Sequence, residues 1–326
     1  MLRISKVATY LITGIAGFIG SSLARELLHR GESVRGIDNF SSGKLENIEP
    51  FANRIDFRQA DLLDPAALGR ACEAVDYVLH QAAIPSVPKS VVAPVPSHQS
   101  NIDGTMNLLL AARDAKVKRV VYAASSSLYG ETPTLPKRED MRPDPISPYA
   151  VQKLCGEYYM RSFYRVYGLE TVSLRYFNVF GPYQDPSSQY SGVLAKFCTS
   201  MLRNEAPTIY GDGEQSRDFT YISNVVEANL LAATAPAPGV AGQSFNVATG
   251  ERISLNETVE LLRKITGYSG KVNYDAEREG DIKHSLADIT LARRHLKYDP
   301  RVGFAEGLKQ TVAWYQSTLA AGAGRS

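Results

Sequence analysis

Tyr149 and Lys153 stand four positions apart in a segment with helical patterning, Tyr149-Ala-Val-Gln-Lys153. Residues i and i+4 share one helix face, so a phenol and an ammonium can reach the same cleft. A phenol is a poor base at neutral pH, because its ordinary pKa is ~10. A neighbouring ammonium favours the phenolate and lowers that value. On its own the pair also reads as amphipathic cover on an ordinary helix. Ser125-Ser126-Ser127 ends an apolar, strand-like run, where doubly wound sheets place ligands. A hydroxyl there could hold a substrate hydroxyl against the phenolate, although serines at strand ends are also common turn formers.

A second group of residues could hold phosphate. Gly14-Ile15-Ala16-Gly17-Phe18-Ile19-Gly20 follows the apolar run Val7–Thr13 and opens a helical pattern. Glycine suits a tight turn, a close backbone approach to pyrophosphate, and close helix–strand packing. The helix N-terminus adds unpaired N–H groups and partial positive charge. The spacing is Gly-x-x-Gly-x-x-Gly rather than Gly-x-Gly-x-x-Gly, and a ligand-free turn would also use glycines. Asp38 closes the next apolar run, 18 positions after Gly20. A carboxylate there accepts the ribose hydroxyls of NAD and repels the extra phosphate of NADP. NAD is therefore the expected cofactor. Asp61-Leu62 and Gln81-Ala82-Ala83, after the third and fourth runs, would flank its adenine and ribose. Lys153 could bond the nicotinamide ribose, and a cationic nicotinamide would further favour the Tyr149 phenolate.

These residues need a scaffold that brings strand ends together. Strands are expected at Val7–Thr13, Ser33–Asp38, Ile55–Gln59, Tyr77–Gln81, Arg119–Ala124 and Thr171–Tyr176. Helices are expected between them, including Phe18–Arg30, Asn101–Ala115 and Tyr149–Tyr167. Runs rich in Val, Ile and Leu without strict alternation suggest strands buried on both faces. Alternation with helices implies βαβ units and an α/β, Rossmann-type doubly wound parallel sheet. After Phe177 the pattern loosens into a Gly/Pro/Asp-rich loop, Gly181–Gln189. Gln243–Val247 is expected to rejoin the sheet after a helix at Asn224–Thr234. Further helices are expected at Leu255–Thr266, Ile289–Leu296 and Phe304–Ser317. The expected division is an NAD-binding domain, 1–176 plus about 222–248, and a smaller, discontinuous α/β substrate domain, 177–221 plus about 249–318. Residues 319–326 form an expected frayed tail.

Composition excludes other classes. The 326 residues carry 36 Lys+Arg against 34 Asp+Glu, a net charge of +2. Nothing in that balance suggests nucleic acid or an anionic membrane as a partner. Cys72, Cys155 and Cys198 are widely spaced and odd in number, which suggests neither a disulfide framework nor a metal site. The first apolar run is too short to span a bilayer. A reducing, cytoplasmic location is expected.

Gly14/Gly17/Gly20, Asp38, the Ser125 cluster and Tyr149-x-x-x-Lys153 together resemble the extended short-chain dehydrogenase/reductase family, over nearly the whole chain. Further segments resemble its UDP-sugar 4-epimerases: Asp38-Asn-Phe-Ser, His80-Gln-Ala-Ala, Ala124-Ser-Ser-Ser-Leu-Tyr-Gly130, Ser147-Pro-Tyr-Ala150, Arg175-Tyr-Phe-Asn-Val-Phe-Gly-Pro182 and Arg278-Glu-Gly-Asp281. The stretches from Gln184 through Lys196 and from Gly280 through Asp288 are most similar to the UDP-N-acetylglucosamine 4-epimerase branch.

The resemblance implies a mechanism. Tyr149 removes the proton from the sugar O4, Ser125 orients or relays it, and the C4 hydride passes to tightly held NAD and returns to the other face. It also implies cofactor contacts at Phe18, Ile19, Asn39, Asn101, Tyr176 and Val179. Asn178 would meet the sugar-phosphate region, Arg217 and Arg278 the diphosphate, and Asp281 the uridine ribose. Val193 and Tyr210 would line the nucleotide pocket, and Ser126 would stand beside the sugar. Related dehydratases carry an Asp-Glu pair where this chain has Ser126 and Ser127, and decarboxylating relatives carry a nearby Glu. Epimerases of uronic acids carry a basic residue in the loop that here reads Tyr183-Gln184-Asp185. A gate position that restricts C2 substituents when it is Tyr falls on Ser285. Gly192 is also small, and Ser86 and Gln184 could bond an acetamido group. The expected pair is UDP-GlcNAc/UDP-GalNAc, with UDP-Glc/UDP-Gal accepted or preferred as the alternative. A dehydratase or reductase, and a non-catalytic NAD sensor, are readings of other classes. Relatives pair into homodimers through helices of the Asn101–Ala115 and Tyr149–Tyr167 type.

Overall fold

A computed structural model describes residues 7–186, 192–277 and 283–323. Arg278 and Asp281 lie outside the described residues. The chain runs β1 (Thr9–Thr13), α1 (Phe18–His29), β2 (Ser33–Asp38), β3 (Asp56–Gln59), α2 (Pro65–Cys72) and β4 (Tyr77–His80). It continues through α3 (Val87–Val92), α4 (Pro94–His98), α5 (Gly104–Asp114), β5 (Arg119–Ser125), α6 (Pro148–Tyr167) and β6 (Glu170–Tyr176). Then come β7 (Val179–Phe180), α7 (Val193–Leu202), β8 (Thr208–Tyr210), β9 (Ser216–Arg217), β10 (Thr220–Tyr221) and α8 (Ile222–Thr234). The last elements are β11 (Gln243–Val247), β12 (Ile253–Ser254), α9 (Leu255–Thr266), β13 (Asn273–Asp275) and α10 (Phe304–Ala323).

Seven strands form one parallel sheet in the order β11-β6-β5-β4-β1-β2-β3. Alternate residues feed two cores, one on each face. Leu11, Val78 and Val120 enter one, while Ile12, Leu79 and Val121 enter the other. That double burial explains why these strands read as apolar runs rather than alternating ones. The order reverses beside β1, and the β1–β4 boundary is a switch point of the kind that receives ligands in doubly wound sheets. Short pairs β7·β10, β9·β12 and β8·β13 lie outside this sheet.

The helix that follows Ser147 starts sharply for local reasons. Ser147 Oγ accepts the Ala150 amide and Pro148 occupies the first turn, which fixes Tyr149 at the mouth of α6. Gly168 ends the helix in a left-handed conformation. Two expectations change. The Asn101–Ala115 helix is preceded by a π-helical turn, Gln99–Asp103, that carries Asn101. The stretch from residue 319, expected to fray, continues α10 through Ala323, because its alanines favour helix once a buried helix precedes them. Among the described residues, no helix is long and apolar enough to cross a membrane.

Candidate active site

At the switch point, β1 turns at Gly14, where φ is +70°. A Cβ on Gly14 would lie 2.8 Å from the backbone of Ala82, and one on Gly20 would lie 2.1 Å from Gly14 O. The first glycine therefore lets the turn meet the loop after β4, and the last lets α1 pack on it. Gly17 begins α1 without a side-chain cap, and no acidic residue sits in the first turn. The amides of that turn and the open face of the glycines suit a diphosphate. Phe18 and Ile19 pack partly into the core beneath them. Asp38 is buried, its Oδ2 accepting from Ala16 N at 2.9 Å and its Oδ1 from Phe40 N at 2.8 Å. Burial raises its pKa above the usual carboxylate value against these amides. An acceptor held at the end of β2 fits the ribose of NAD.

The other expected cofactor residues are joined in pairs. Asn39 Nδ2 donates to Asp61 Oδ2 at 2.7 Å. Leu62 faces inward, against Gly104. Ala82 N donates to Thr13 Oγ1 beside Ala83, and Gln81 joins Tyr176 and Asn229 in one network across β4, β6 and α8. Asn101 accepts from Ile84 N at 2.8 Å and donates to Gln152 at 2.8 Å, so it fixes the loop after β4 against α6. Asn229 and Gln152 carry no signal in the sequence. Their partners stand 148 and 51 positions away.

Ser125, Tyr149 and Lys153 converge at the end of β5. Ser125 Oγ accepts from Ser127 N at 3.2 Å and from Ser127 Oγ at 2.9 Å. Ser126 begins the short helical turn that Ser125 caps. The Tyr149 phenol is under the influence of the Ser125 hydroxyl, and the Tyr149 backbone N–H donates to Ser90 Oγ at 3.0 Å. Lys153 Nζ donates to Ala123 O at 2.8 Å. Burial pushes the Tyr149 phenol up to about 12, with the Ser125 side chain pulling the other way. Burial pulls Lys153 down to about 7. Arg175 and Glu157 form a buried pair at 2.6 Å that clamps α6 to β6. Ser125 stands beside Tyr176 in the sheet, so the chain leaving β6 toward Asn178 emerges next to this cluster.

That exit meets the expected substrate residues. Asn178 Nδ2 donates to Ser285 Oγ and to Asp218 O, both at 3.2 Å. Arg217, on β9, donates to Lys283 O at 3.1 Å, and Ser285 N donates to Ser216 O at 3.0 Å. Val179 starts β7, and its carbonyl accepts from Gln184 Nε2 at 3.2 Å. Gly192 and Val193 open α7, with the open side of Gly192 toward Gln184. Tyr210 ends β8 and pairs with Asp275. Ser86 is buried, with its Oγ accepting from Lys89 N to cap α3. Asp218, next to Arg217, is the hub that sequence reasoning missed. Its carboxylate accepts from Thr249 N, Thr249 Oγ1, Gly250 N and Ala287 N.

The sequence profile of the NAD dependent epimerase/dehydratase family matches residues 10–248. The chain is 38% identical over 311 residues to the UDP-glucose 4-epimerase of Mycolicibacterium smegmatis, covering 94% of this chain and 98% of that one. A solved UDP-N-acetylglucosamine 4-epimerase from Methanobrevibacter ruminantium, in complex with UDP-N-acetylmuramic acid, superimposes with a TM-score of 0.91 at 42% identity, covering 96% of this chain and 99% of that one. The UDP-glucose 4-epimerase of Thermus thermophilus, solved with NAD, gives a TM-score of 0.85 at 36% identity, covering 94% and 99%. With the glycine turn, Asp38 and the Tyr149–Lys153 pair in place, the chain belongs to the NAD dependent epimerase/dehydratase family.

Proposed function

We propose that this enzyme interconverts a UDP-hexose and its C4 epimer, with UDP-GlcNAc and UDP-GalNAc as its preferred pair. The observation that carries the reaction class is the Ser125–Tyr149–Lys153 cluster with hydroxyls, not carboxylic acids, at positions 126 and 127. The relatives named as UDP-sugar 4-epimerases support it. NAD, which the Gly14–Gly20 turn and Asp38 would hold, would supply the acceptor and donor for the C4 hydrogen and its electron pair. Tyr149 Oη takes the O4 proton and later returns it, Ser125 Oγ holds O4 toward it, and the Lys153 ammonium favours the phenolate. No carboxylic acid stands at 126 or 127 to drive loss of water, so the 4-keto sugar can turn about its diphosphate link and be reduced on its other face. Holding the reacting groups together supplies much of the rate.

In this proposal residues 1–176 and about 222–248 hold the cofactor, and residues 177–221 and about 249–318 hold the UDP-sugar. Ser285 supports the choice of sugar. It is small, and its Oγ is bonded to Asn178 and Asp218 N beside the exit of β6. Purified enzyme without added NAD should convert UDP-GlcNAc to UDP-GalNAc faster than UDP-Glc to UDP-Gal, with products resolved by anion exchange or NMR. Ser285→Tyr should reverse that preference. Failure of both conversions, even with NAD supplied, would sink the reading. Pairing of two chains through α5 and α6 belongs to the same proposal. The exposed Val151, Tyr158 and Val166 of α6 support it, and a sedimentation coefficient of a single chain would remove it.

A further inference from the structure

We infer that Tyr122, which no step above uses, is a positioning residue for Lys153: its ring face holds the ammonium beside Tyr149. The inference rests on the reading of Tyr149 and Lys153 given under Proposed function.

Tyr122 lies on β5, one residue before the carbonyl that accepts from Lys153. It is 1% exposed, and its hydroxyl is buried with no hydrogen-bond partner among the described residues. Buried tyrosine hydroxyls usually find one, so aliphatic filling would have packed this strand at lower cost. The helix above is shaped to admit the ring. A Cβ on Gly156 would lie 2.3 Å from Tyr122 Oη. Glycine inside a helix costs about 1 kcal/mol relative to alanine, and here it clears room for the hydroxyl end. Gly156 and Lys153 are three positions apart and share one helix face. The ring is thus wedged along that face, with its far end at Gly156 and its face toward Lys153. Lys153 Nζ is 4.9 Å from the Tyr122 centroid and 6.0 Å from the Tyr149 centroid.

Lys153 needs such a partner. It is 3% exposed, and among the described residues no carboxylate pairs with it. The titratable groups around the Lys153–Tyr122 pair are Tyr149, Cys155 and Glu157 from α6 and His80 from β4. Glu157 is committed to Arg175. His80 is neutral, pulled down to about 3 by burial and by the Lys153 charge. The carbonyl of Ala123 engages one of the three ammonium protons. A ring face offers a buried cation attraction without adding a charge that would repel the Tyr149 phenolate.

The test replaces the ring without changing the reacting residues. Tyr122→Phe keeps the face and deletes the partnerless hydroxyl, and should retain the wild-type pH profile of epimerisation. Tyr122→Met keeps apolar bulk without the face; it should lose about tenfold in kcat/KM and move the alkaline limb to lower pH. In a Lys153→Met background the same Tyr122→Met change should cost nothing further. Fluorinated phenylalanines at position 122 hold shape constant while weakening the ring face, so they serve if the Met variant fails to fold. Carbon-labelled lysine NMR of the fluorinated series should show Lys153 titrating at progressively lower pH, whether or not the enzyme turns over. Overturning results would be an unmoved Lys153 titration across that series, an equal loss from Tyr122→Met in both backgrounds, or a Phe variant as impaired as the Met variant. If the Lys153 titration moves but the wild-type enzyme epimerises neither sugar, the Tyr122 assignment stands and the functional reading fails.

Discussion

The hydroxyl that the proposed reaction uses as a base near neutrality is held here with its proton on. In the chain alone, burial pushes Tyr149 up to about 12 and pulls Lys153 down to about 7. Both shifts oppose the phenolate–ammonium state on which the proposed O4 deprotonation depends. A cation added beside Tyr149, as a nicotinamide ring would be, acts in the opposite direction. Tyr149→Phe removes the oxygen while keeping the ring. It should lower turnover by roughly 100- to 10,000-fold with the fold and bound NAD retained, as read by product formation and by NAD released on denaturation. Turnover within a few-fold of wild type would remove Tyr149 from the mechanism. Tyr149, Lys153 and the glycines were legible in the sequence because their spacing is local. Tyr122, Asn229 and Asp218 were not, because each acts on groups that are remote in the chain, and a lone Tyr, Asn or Asp has no pattern.

At the scale of elements, strand identities were legible because both faces of the sheet are buried, which leaves long apolar runs. Ser33–Asp38 and Gln243–Val247 match the expected bounds. The π-helical turn at Gln99–Asp103 was illegible, since it follows from the bonds of Asn101 to Ile84 and Gln152 rather than from local propensity. The loops of the second half are tied by Asp218, whose carboxylate burial raises to about 6 despite four donors. The folded protein then keeps a proton that the unfolded chain has already released above the ordinary carboxylate value. This group's contribution to stability therefore falls as pH rises through that window, and is constant above about 6. Asp218→Asn should abolish that pH dependence. It should also cost about 2 kcal/mol, because an amide N–H₂ would face two of the donors. Urea unfolding of both proteins across the window checks this. Parallel stability curves would show that Asp218 does not titrate there.

Taken as a whole molecule, the fold gathers one edge of the sheet into a single site. The turn after β1, the loop after β4, the serines ending β5 and the exit from β6 all leave by the same edge because the strands are parallel. Asn178 and Ser285, 107 positions apart, meet beside that edge. The sequence announces the sheet and its glycine turn, but a contact of that span requires the chain to be folded. This architecture predicts a reaction in which the hydrogen on C4 leaves and returns without escaping to solvent. The most direct test is to supply UDP-GlcNAc deuterated at C4, with no added NAD, and follow C4 by NMR. The account predicts UDP-GalNAc with deuterium retained at C4. Deuterium lost to water during epimerisation, or a dehydrated product in place of the epimer, would contradict it.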